Sequence, residues 1–158
     1  MIEPREEFMR AAIEEARKGQ QAGDYAIGAA IVKDGNILYQ CGNRAKIEQD
    51  STQHAEMVAI RGISKILKSR FLPGCVLYTT HEPCPMCAAA AVWARMDGVV
   101  FGSTLEDMIE YRQANGNKKW TWRTIDVPAK EVISKGTPTL ELVEKFMREE
   151  CKKLFHSV

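Results

Sequence analysis

Residues 75–87 read CVLYTTHEPCPMC, an apolar stretch that leads directly into two prolines and two cysteines. The apolar run at 75–79 predicts a strand. Pro83 and Pro85 suit the first turn of a following helix, because a residue there needs no backbone N–H donor. The segment therefore predicts a strand that turns sharply into an alanine-rich helix, with both cysteines at the turn.

The rest of the chain alternates between the same two kinds of element. Apolar residues recur at helical spacing in some stretches and form short continuous runs in others. The pattern predicts helices over about 6–21, 54–68 and 83–95. It predicts strands over 27–32, 36–41, 75–79 and 98–102, with a hairpin turn at Asp34-Gly35. Loops and a short helix are expected over 103–138, and a closing amphipathic helix from Leu140 to Phe155. Strands that alternate with helices indicate a layered α/β domain whose sheet is at least partly parallel.

The length and charge of the chain narrow the classes of protein. Residues 1–158 are enough for a single domain with a full hydrophobic core, and no repeat or linker divides them. Lys and Arg total 22 against 21 Asp and Glu, a net charge of +1. This balance argues against an extended phosphate-binding surface, although a local basic patch is compatible with it.

Composition also predicts the compartment. No apolar run approaches the roughly 20 residues of a membrane helix, and the acidic start at 1–7 lacks the order of a secretory signal. Five cysteines form an odd set in a chain too long to need disulfides. We therefore expect a cytoplasmic protein without membrane association, in which paired thiols indicate metal binding or catalysis.

A metal site is predicted where two helices begin. Cys84 and Cys87 are three residues apart on a helix, so both sulfurs share one face. A helix N-terminus favours the thiolate form that zinc requires. His54, at the start of another predicted helix, can supply a third ligand. Three protein ligands leave the fourth tetrahedral position of Zn²⁺ to water, as in catalytic zinc sites.

Glu56 is the predicted proton carrier of this site. It lies two residues after His54, close enough to reach a water on the metal without being a ligand itself. A carboxylate in that position can take the proton of the water, deliver it to a ring nitrogen and help an amine leave as ammonia. Glu56 is therefore the candidate catalytic residue.

Other readings of the same motifs stay open at this point. The two cysteines could form a redox pair, or a structural zinc site completed by Cys41 or Cys75. A zinc-stabilised interaction domain would then need no proton carrier. The order of His-Ala-Glu at 54–56 and Pro-Cys-Pro-Met-Cys at 83–87 favours the catalytic reading, because H-x-E followed by P-C-x-x-C is the signature of zinc deaminases that act on nucleobases.

Three stretches resemble the cytidine and deoxycytidylate deaminase superfamily over roughly residues 6–102. Residues 52–61, TQHAEMVAIR, are similar to its first motif, and residues 78–87, YTTHEPCPMC, to its second. Residues 29–35, AAIVKDG, followed by Gly42-Asn43, resemble the preceding hairpin and a substrate-binding asparagine. The resemblance implies a three-layer α/β/α fold with a mixed five-stranded sheet between helices, and a homodimer.

Within the superfamily, bacterial guanine deaminases are the most similar branch, through residues 82–87 and Trp93-Ala94-Arg95. Ala26, where those enzymes usually have proline, and His81, an unusual residue at its place, depart from their pattern. Deaminases of the tRNA wobble adenosine share the cysteine motif but usually have a Gly-Ala…Gly-Ser stretch that is missing after Gly102. Fungal cytosine deaminases are similar in size and diverge around the cysteines.

The resemblance also implies substrate contacts. Asn43 would hydrogen-bond a ring carbonyl or amide, Ala55 would lie beside the bound base, Trp93 would stack near it, and Asp107 would supply a second carboxylate. The segment Lys118-Lys119-Trp120-Thr121-Trp122-Arg123 interleaves basic and aromatic residues, as nucleic-acid surfaces do. A dimer contact or a pocket lid would explain that segment equally well. His81 and His156 receive no role.

The leading prediction is a zinc-dependent aminohydrolase of purine metabolism that releases ammonia from a free nucleobase. Guanine is the first expectation, with cytosine or another amino-heterocycle as alternatives. The second prediction is a tRNA wobble-adenosine deaminase, with nucleic acid as the partner. The third is the zinc-stabilised interaction domain.

Overall fold

The computed structural model describes residues 1–116 and 122–156. Its elements, in chain order, are α1 (Glu6–Gln21), β1 (Gly28–Lys33), β2 (Asn36–Gly42), α2 (Ala55–Leu67), β3 (Val76–His81), α3 (Pro85–Trp93), β4 (Gly98–Ser103), α4 (Leu105–Asn115), α5 (Ala129–Ser134), β5 (Glu141–Val143) and α6 (Arg148–His156). Among these described residues, no helix combines the length and the apolar character needed to cross a bilayer.

The five strands form one mixed sheet in the order β2-β1-β3-β4-β5. β1 runs antiparallel to both β2 and β3, whereas β4 is parallel to β3 and to β5. The β1–β2 hairpin turns at Asp34 and Gly35, which both have a positive φ of the kind a tight hairpin requires. The predicted sheet with a parallel part is confirmed.

Helices cover both faces of the sheet, because neighbouring strand residues point to opposite sides. On one face, Ala29 and Leu77 pack into a core with residues of α2, α3 and α5. On the other, Ala30 and Tyr78 pack against α1 and α6. The three-layer α/β/α arrangement expected from the resemblance is therefore present.

The predicted closing helix is wrong in its first part. Residues 141–143 form β5, the fifth strand, paired in parallel with β4. The N–H of Phe146 donates to the carbonyl of Phe101, which extends this contact. Lys145 and Met147 both have positive φ values, so no helix can run through them. α6 begins only at Arg148. Its buried residues Cys151 and Leu154 pack against the sheet, and they belong to the apolar pattern that predicted one longer helix.

The region over 103–138 is more regular than expected, since α4 is a helix of 11 residues. A capping box starts α4: the Thr104 hydroxyl accepts from the backbone N–H of Asp107, and the Asp107 carboxylate accepts from the backbone N–H of Thr104. The same carboxylate accepts two hydrogen bonds from the Arg148 guanidinium, at 2.9 and 2.6 Å. Asp107 thus joins α4 to the start of α6.

The charge of Asp107 makes folding stability depend on pH. Burial alone would raise the pKa of this carboxyl, but hydrogen bonds from Arg148 and Thr104 outweigh it and hold the pKa at about 2. The pKa in the unfolded chain is about 3.9. A carboxyl with a lowered folded pKa stabilises the fold above about pH 4, and this contribution disappears as the pH falls towards about 2.

We expect Asp107→Asn to lower the free energy of unfolding at pH 7 by about 1–2 kcal/mol. The difference between the variant and the unmodified chain should shrink as the pH is lowered from about 5 to about 3. Urea unfolding at a series of pH values measures both effects. Glu106→Gln, which removes an exposed charge from the same helical turn, is the matched control and should change stability by only a few tenths of a kcal/mol. Equal effects of the two substitutions would contradict the assignment.

Candidate active site

The start of two helices brings three metal-binding side chains together. His54 is the N-cap residue of α2, and Cys84 is the N-cap residue of α3, with Cys87 within the first turn that follows. The Nδ1 atom of His54 lies 3.5 Å from the Sγ atom of each cysteine, and the two sulfurs are 3.7 Å apart. These atoms form a compact triangle that no covalent bond closes.

The dimensions of the triangle fit a tetrahedral zinc ion. Zn–S bonds of about 2.3 Å and a Zn–N bond of about 2.05 Å at tetrahedral angles separate two sulfurs by about 3.8 Å and a sulfur from a nitrogen by about 3.6 Å. The observed separations agree with both values within about 0.1 Å. One imidazole and two thiols are also the donor types that zinc prefers. His54, Cys84 and Cys87 therefore fit the ion in number, type and spacing.

The remaining cysteines lie outside this triangle. Cys41 donates from Sγ to the backbone carbonyl of Ala55, and burial raises the pKa of its thiol to about 12. Cys75 is buried just before β3. Among the residues that the structure describes, the one group of side chains suited to a metal is His54 with Cys84 and Cys87. The site thus has three protein ligands, as a catalytic metal site has, and not the four of a structural site.

The pKa values of the Cys84 and Cys87 thiols are shifted in opposite directions. Hydrogen bonding with Cys87 lowers the pKa of Cys84 to about 4, helped by His54 and opposed by burial. The same contact, together with burial, raises the pKa of Cys87 well above its usual range. Cys84 also lies at the N-terminus of α3, where the positive end of the helix dipole favours the charged thiolate form of its side chain.

Glu56 lies in the first turn of α2 and is only 4% exposed. Burial raises the pKa of its carboxyl to about 7, with His54 acting in the opposite direction. Its Oε1 atom is buried without a hydrogen-bond partner among the described residues. A buried carboxylate oxygen without a partner is costly, so its position beside the metal ligands is best explained by a ligand that completes the site.

Asn43, at the end of β2, is held in a single orientation. Its Oδ1 accepts from the backbone N–H of Ala55, and its Nδ2 donates to the carboxylate of Asp24 at 2.7 Å. A carboxylate only accepts hydrogen bonds, so the amide cannot flip. One N–H of the carboxamide therefore stays available to a ligand in the cavity.

Asp24 is a residue of the site that the sequence patterns missed. Its carboxylate also accepts from the backbone N–H groups of Tyr25, Lys46 and Ile47. Burial would raise the pKa of Asp24, but these donors and Asn43 lower it overall. A lone acidic residue in a Gly-Asp-Tyr turn gives no local signal, because three of its four donors lie 19 or more positions away.

Glu82, also missed as a site residue, fixes the walls of the cavity. Its Oε1 accepts from the backbone N–H of Leu105 at 3.0 Å, and its Oε2 accepts from the backbone N–H of Ala129 at 2.9 Å. These two residues are the first residues of α4 and α5. Glu82 thus joins the strand that precedes the cysteine motif to the helices before and after the described segment 122–127, which lines the cavity.

A cavity of about 550 Å³ opens over these groups. Its floor contains His54, Cys84, Glu56 and Asn43, and its walls are largely aromatic and aliphatic. The wall residues include Tyr25, Ile27, Met86, Leu105, Met108, Trp122, Ile125 and Val127, with His81, Arg123 and Thr124 as polar members. Arg112 donates to the Trp122 carbonyl and to the Thr124 hydroxyl, which holds the segment 122–127 in place.

The structure brings some predicted substrate residues together and leaves others apart. Asn43 lines the cavity, and Ala55 is buried beneath it as a backbone donor to Asn43. Trp93, 80% exposed at the end of α3, and Asp107, engaged in the helix cap, are not among the described residues that line the cavity. Lys118 to Thr121 lie outside the described residues, while Trp122 and Arg123 belong to the wall.

Two curated relatives cover most of the chain. A tRNA-specific adenosine deaminase of Aquifex aeolicus (strain VF5) is 32% identical over 139 residues, which are 82% of this chain and 91% of that protein. A guanine deaminase of Bacillus subtilis (strain 168) is 39% identical over 127 residues, 80% of each protein. A solved tRNA:A34 deaminase structure superposes with a TM-score of 0.76 at 28% identity, over 95% of this chain and 99% of that one.

Residues 2–103 match the sequence profile of the cytidine and deoxycytidylate deaminase zinc-binding region. This stretch contains the zinc triangle and Glu56. The match covers well over half of the chain, and the relatives extend it beyond β4. The chain therefore belongs to the cytidine and deoxycytidylate deaminase family, a zinc-binding family, and His54, Cys84 and Cys87 are the described residues that could hold the ion.

Proposed function

We propose that this protein catalyses the hydrolytic deamination of a free nucleobase, with guanine as the leading substrate. The observation that carries the proposal is the convergence on one cavity of the zinc triangle, the oriented Asn43 amide and Glu56 Oε1, which has no hydrogen-bond partner among the described residues. These are the three parts that hydrolysis of an aromatic amine needs: a nucleophile, a proton carrier and a group that positions the ring.

His54, Cys84 and Cys87 would hold the zinc ion. When bound, zinc acidifies a water molecule and so supplies a nucleophile at neutral pH. Glu56 accepts the proton that the water loses and passes it to the ring nitrogen next to the carbon under attack. Glu56 then takes the proton of the hydroxyl group added to that carbon and gives it to the amine; the carbon–nitrogen bond breaks, ammonia leaves and the hydroxyl oxygen remains as a carbonyl.

Asn43 holds the ring in place during this exchange. Asp24 fixes the carboxamide so that an N–H faces a ring oxygen or nitrogen of the substrate. The backbone N–H of Ala55 holds the other end of the amide and, because Ala55 adjoins His54, ties this contact to the metal site. Substrate orientation thus depends on the same helix start that supplies a zinc ligand and Glu56.

The cavity supports a small aromatic substrate. Tyr25 and Trp122, whose rings meet edge-to-face with centroids 5.5 Å apart, provide apolar surface for a flat ring. Among the lining residues that the structure describes, Arg123 is the single Lys or Arg side chain. A polynucleotide needs several cationic contacts to its phosphates, whereas a free base needs none.

The second candidate is a tRNA adenosine deaminase. Arg123 at the cavity wall ends the basic and aromatic sequence 118–123, KKWTWR, and a relative that spans most of this chain is a tRNA-specific enzyme. An arginine beside an aromatic residue, as at Trp122 and Arg123 in the cavity wall, would suit a single-stranded loop of RNA. Roles for Trp93 and Asp107 in substrate binding, the homodimer and the cytoplasmic location remain predictions.

The metal content tests the ligand set. We expect about one zinc per chain by elemental analysis, and Cys84→Ser should remove most of it because a neutral hydroxyl replaces a thiolate ligand. Cys41→Ser, Cys75→Ser and Cys151→Ser are matched controls and should retain zinc. If Cys41→Ser or Cys75→Ser strips the metal as thoroughly as Cys84→Ser, the three-ligand assignment is wrong.

Glu56→Gln keeps the shape of the side chain and removes its ability to carry protons. Zinc content should stay at the level of the unmodified chain, while ammonia release falls by on the order of 10²–10⁴. Steady-state kinetics on guanine, with zinc measured on the same sample, checks both. Near-normal turnover of Glu56→Gln would show that another group carries the protons.

Salt dependence separates the two substrate classes. Ammonia release from guanine should change little between about 50 and 200 mM salt, because a free base carries no phosphate. A tRNA substrate should lose affinity steeply over that range as its counterions compete with protein contacts. Deamination of a tRNA anticodon loop without turnover of any free base would overturn the free-base proposal and leave the zinc chemistry in place.

A further inference from the structure

His81 lies in the cavity wall and has no part in the mechanism above. It is the last residue of β3, three positions before the zinc ligand Cys84. Its half-buried ring packs near Trp122 and Phe155, with ring centroids 6.2 and 6.1 Å away. These contacts hold the imidazole ring in one orientation. Its two nitrogens, Nδ1 and Nε2, therefore have different neighbours.

One nitrogen of His81 is committed to the sheet. Nδ1 lies 2.8 Å from the hydroxyl of Ser103, the residue paired with His81 on β4. That hydroxyl donates its single proton to the carbonyl of Thr80, at 3.1 Å. A hydroxyl with its proton engaged accepts, so we assign the ring proton to Nδ1, which donates it to Ser103.

The other nitrogen therefore presents a lone pair. A neutral imidazole with a proton on Nδ1 has none on Nε2. Burial lowers the pKa of His81 to about 4, against the opposing effect of nearby Asp107 and Cys84, so the ring is neutral near pH 7. Among residues 1–116 and 122–156, no hydrogen bond of Nε2 accompanies the one that Nδ1 makes.

We propose that His81 is a specificity-determining residue whose Nε2 accepts a hydrogen bond from a ring N–H of the substrate. The inference rests on the proposed function, since it concerns the base held in the same cavity. A buried acceptor left without a donor is costly, so a substrate that lacks the N–H would bind less well.

This acceptor selects among amino-heterocycles. Free guanine and free cytosine each have a ring N–H besides the amine that is lost. An adenine in a polynucleotide has none, because its glycosidic nitrogen is substituted and its other ring nitrogens are acceptors. The donor of Asn43 and the acceptor of His81 together complement a ring that carries both a carbonyl and an N–H. The pair therefore favours a free oxo-base over an adenosine of RNA.

Two substitutions separate the two nitrogens of His81. In His81→Asn the amide nitrogen takes the place of Nδ1 and keeps the bond to Ser103, but nothing replaces Nε2. In His81→Gln the longer side chain places an amide oxygen or nitrogen near the former Nε2. We expect the KM for guanine to rise about 10–100-fold in His81→Asn with kcat changed less than about threefold, as for a contact equally strong in the ground and transition states. His81→Gln should recover most of the loss, and zinc content should be unchanged in both.

Methylated bases test the contact in the unmodified protein. One of the two bases 1-methylguanine and 9-methylguanine lacks the ring N–H that His81 would bind, and we expect the unmodified protein to turn that base over more slowly than guanine. The difference in turnover between that base and guanine should be smaller in His81→Asn. If the unmodified protein deaminates both methylated bases as well as guanine, or if His81→Asn leaves the KM for guanine unchanged, His81 reads no ring N–H. Should cytosine be the faster base, cytosine and 1-methylcytosine replace these probes. Failure to deaminate any free base would instead refute the proposed function.

Discussion

The carboxylate of Glu82 is the interaction on which the active-site architecture depends. It follows β3 directly, and its two oxygens accept the first backbone N–H groups of α4 and of α5. A carboxylate at two helix N-termini satisfies donors that would otherwise lack partners and also interacts favourably with both helix dipoles. Its own N–H donates to the carbonyl of Ser103, which fixes the turn against β4. One side chain thus joins the strand that leads to the zinc ligands to the starts of two helices, one of which supplies Leu105 and Met108 to the cavity wall.

The zinc ligands themselves could be predicted from the sequence because their geometry is local. Cys84 and Cys87 are one helical turn apart, and His54 and Glu56 share the start of another helix. A backbone turn fixes such distances without reference to the rest of the chain. The meeting of the two helix starts did require the fold: β2 and β3 both run antiparallel to the strand between them, β1, so the segments that follow them leave the same edge of the sheet. The sequence order of the motifs was enough to anticipate that meeting.

Elements that depend on distant partners escaped prediction for the opposite reason. β5 has apolar residues that also continue the helical spacing of α6, and only its pairing with β4, some 40 positions earlier, makes it a strand. Asp107 is similar: the Thr104–Asp107 capping box is readable within four residues, but its bonds to Arg148 cross 41 positions. The sequence could suggest that the Asp107 carboxylate lies near the site. It could not show that this carboxylate is already hydrogen-bonded to the N-cap of α4 and to the Arg148 guanidinium.

Substrate choice also depends on residues that are distant in the sequence, so membership of the family does not decide it. The zinc triangle and Glu56 form a chemical core that could act on many aromatic amines, whereas the cavity wall comes from 122–127 and the end of β3. His81 illustrates the difference. In the sequence it is an isolated histidine before a cysteine motif, and its acceptor character becomes visible only when Ser103, 22 positions later, is found to donate its proton to Thr80. The hydrogen-bonding pattern of the base would therefore be read by side chains whose donor or acceptor character is set by partners that are distant in the sequence.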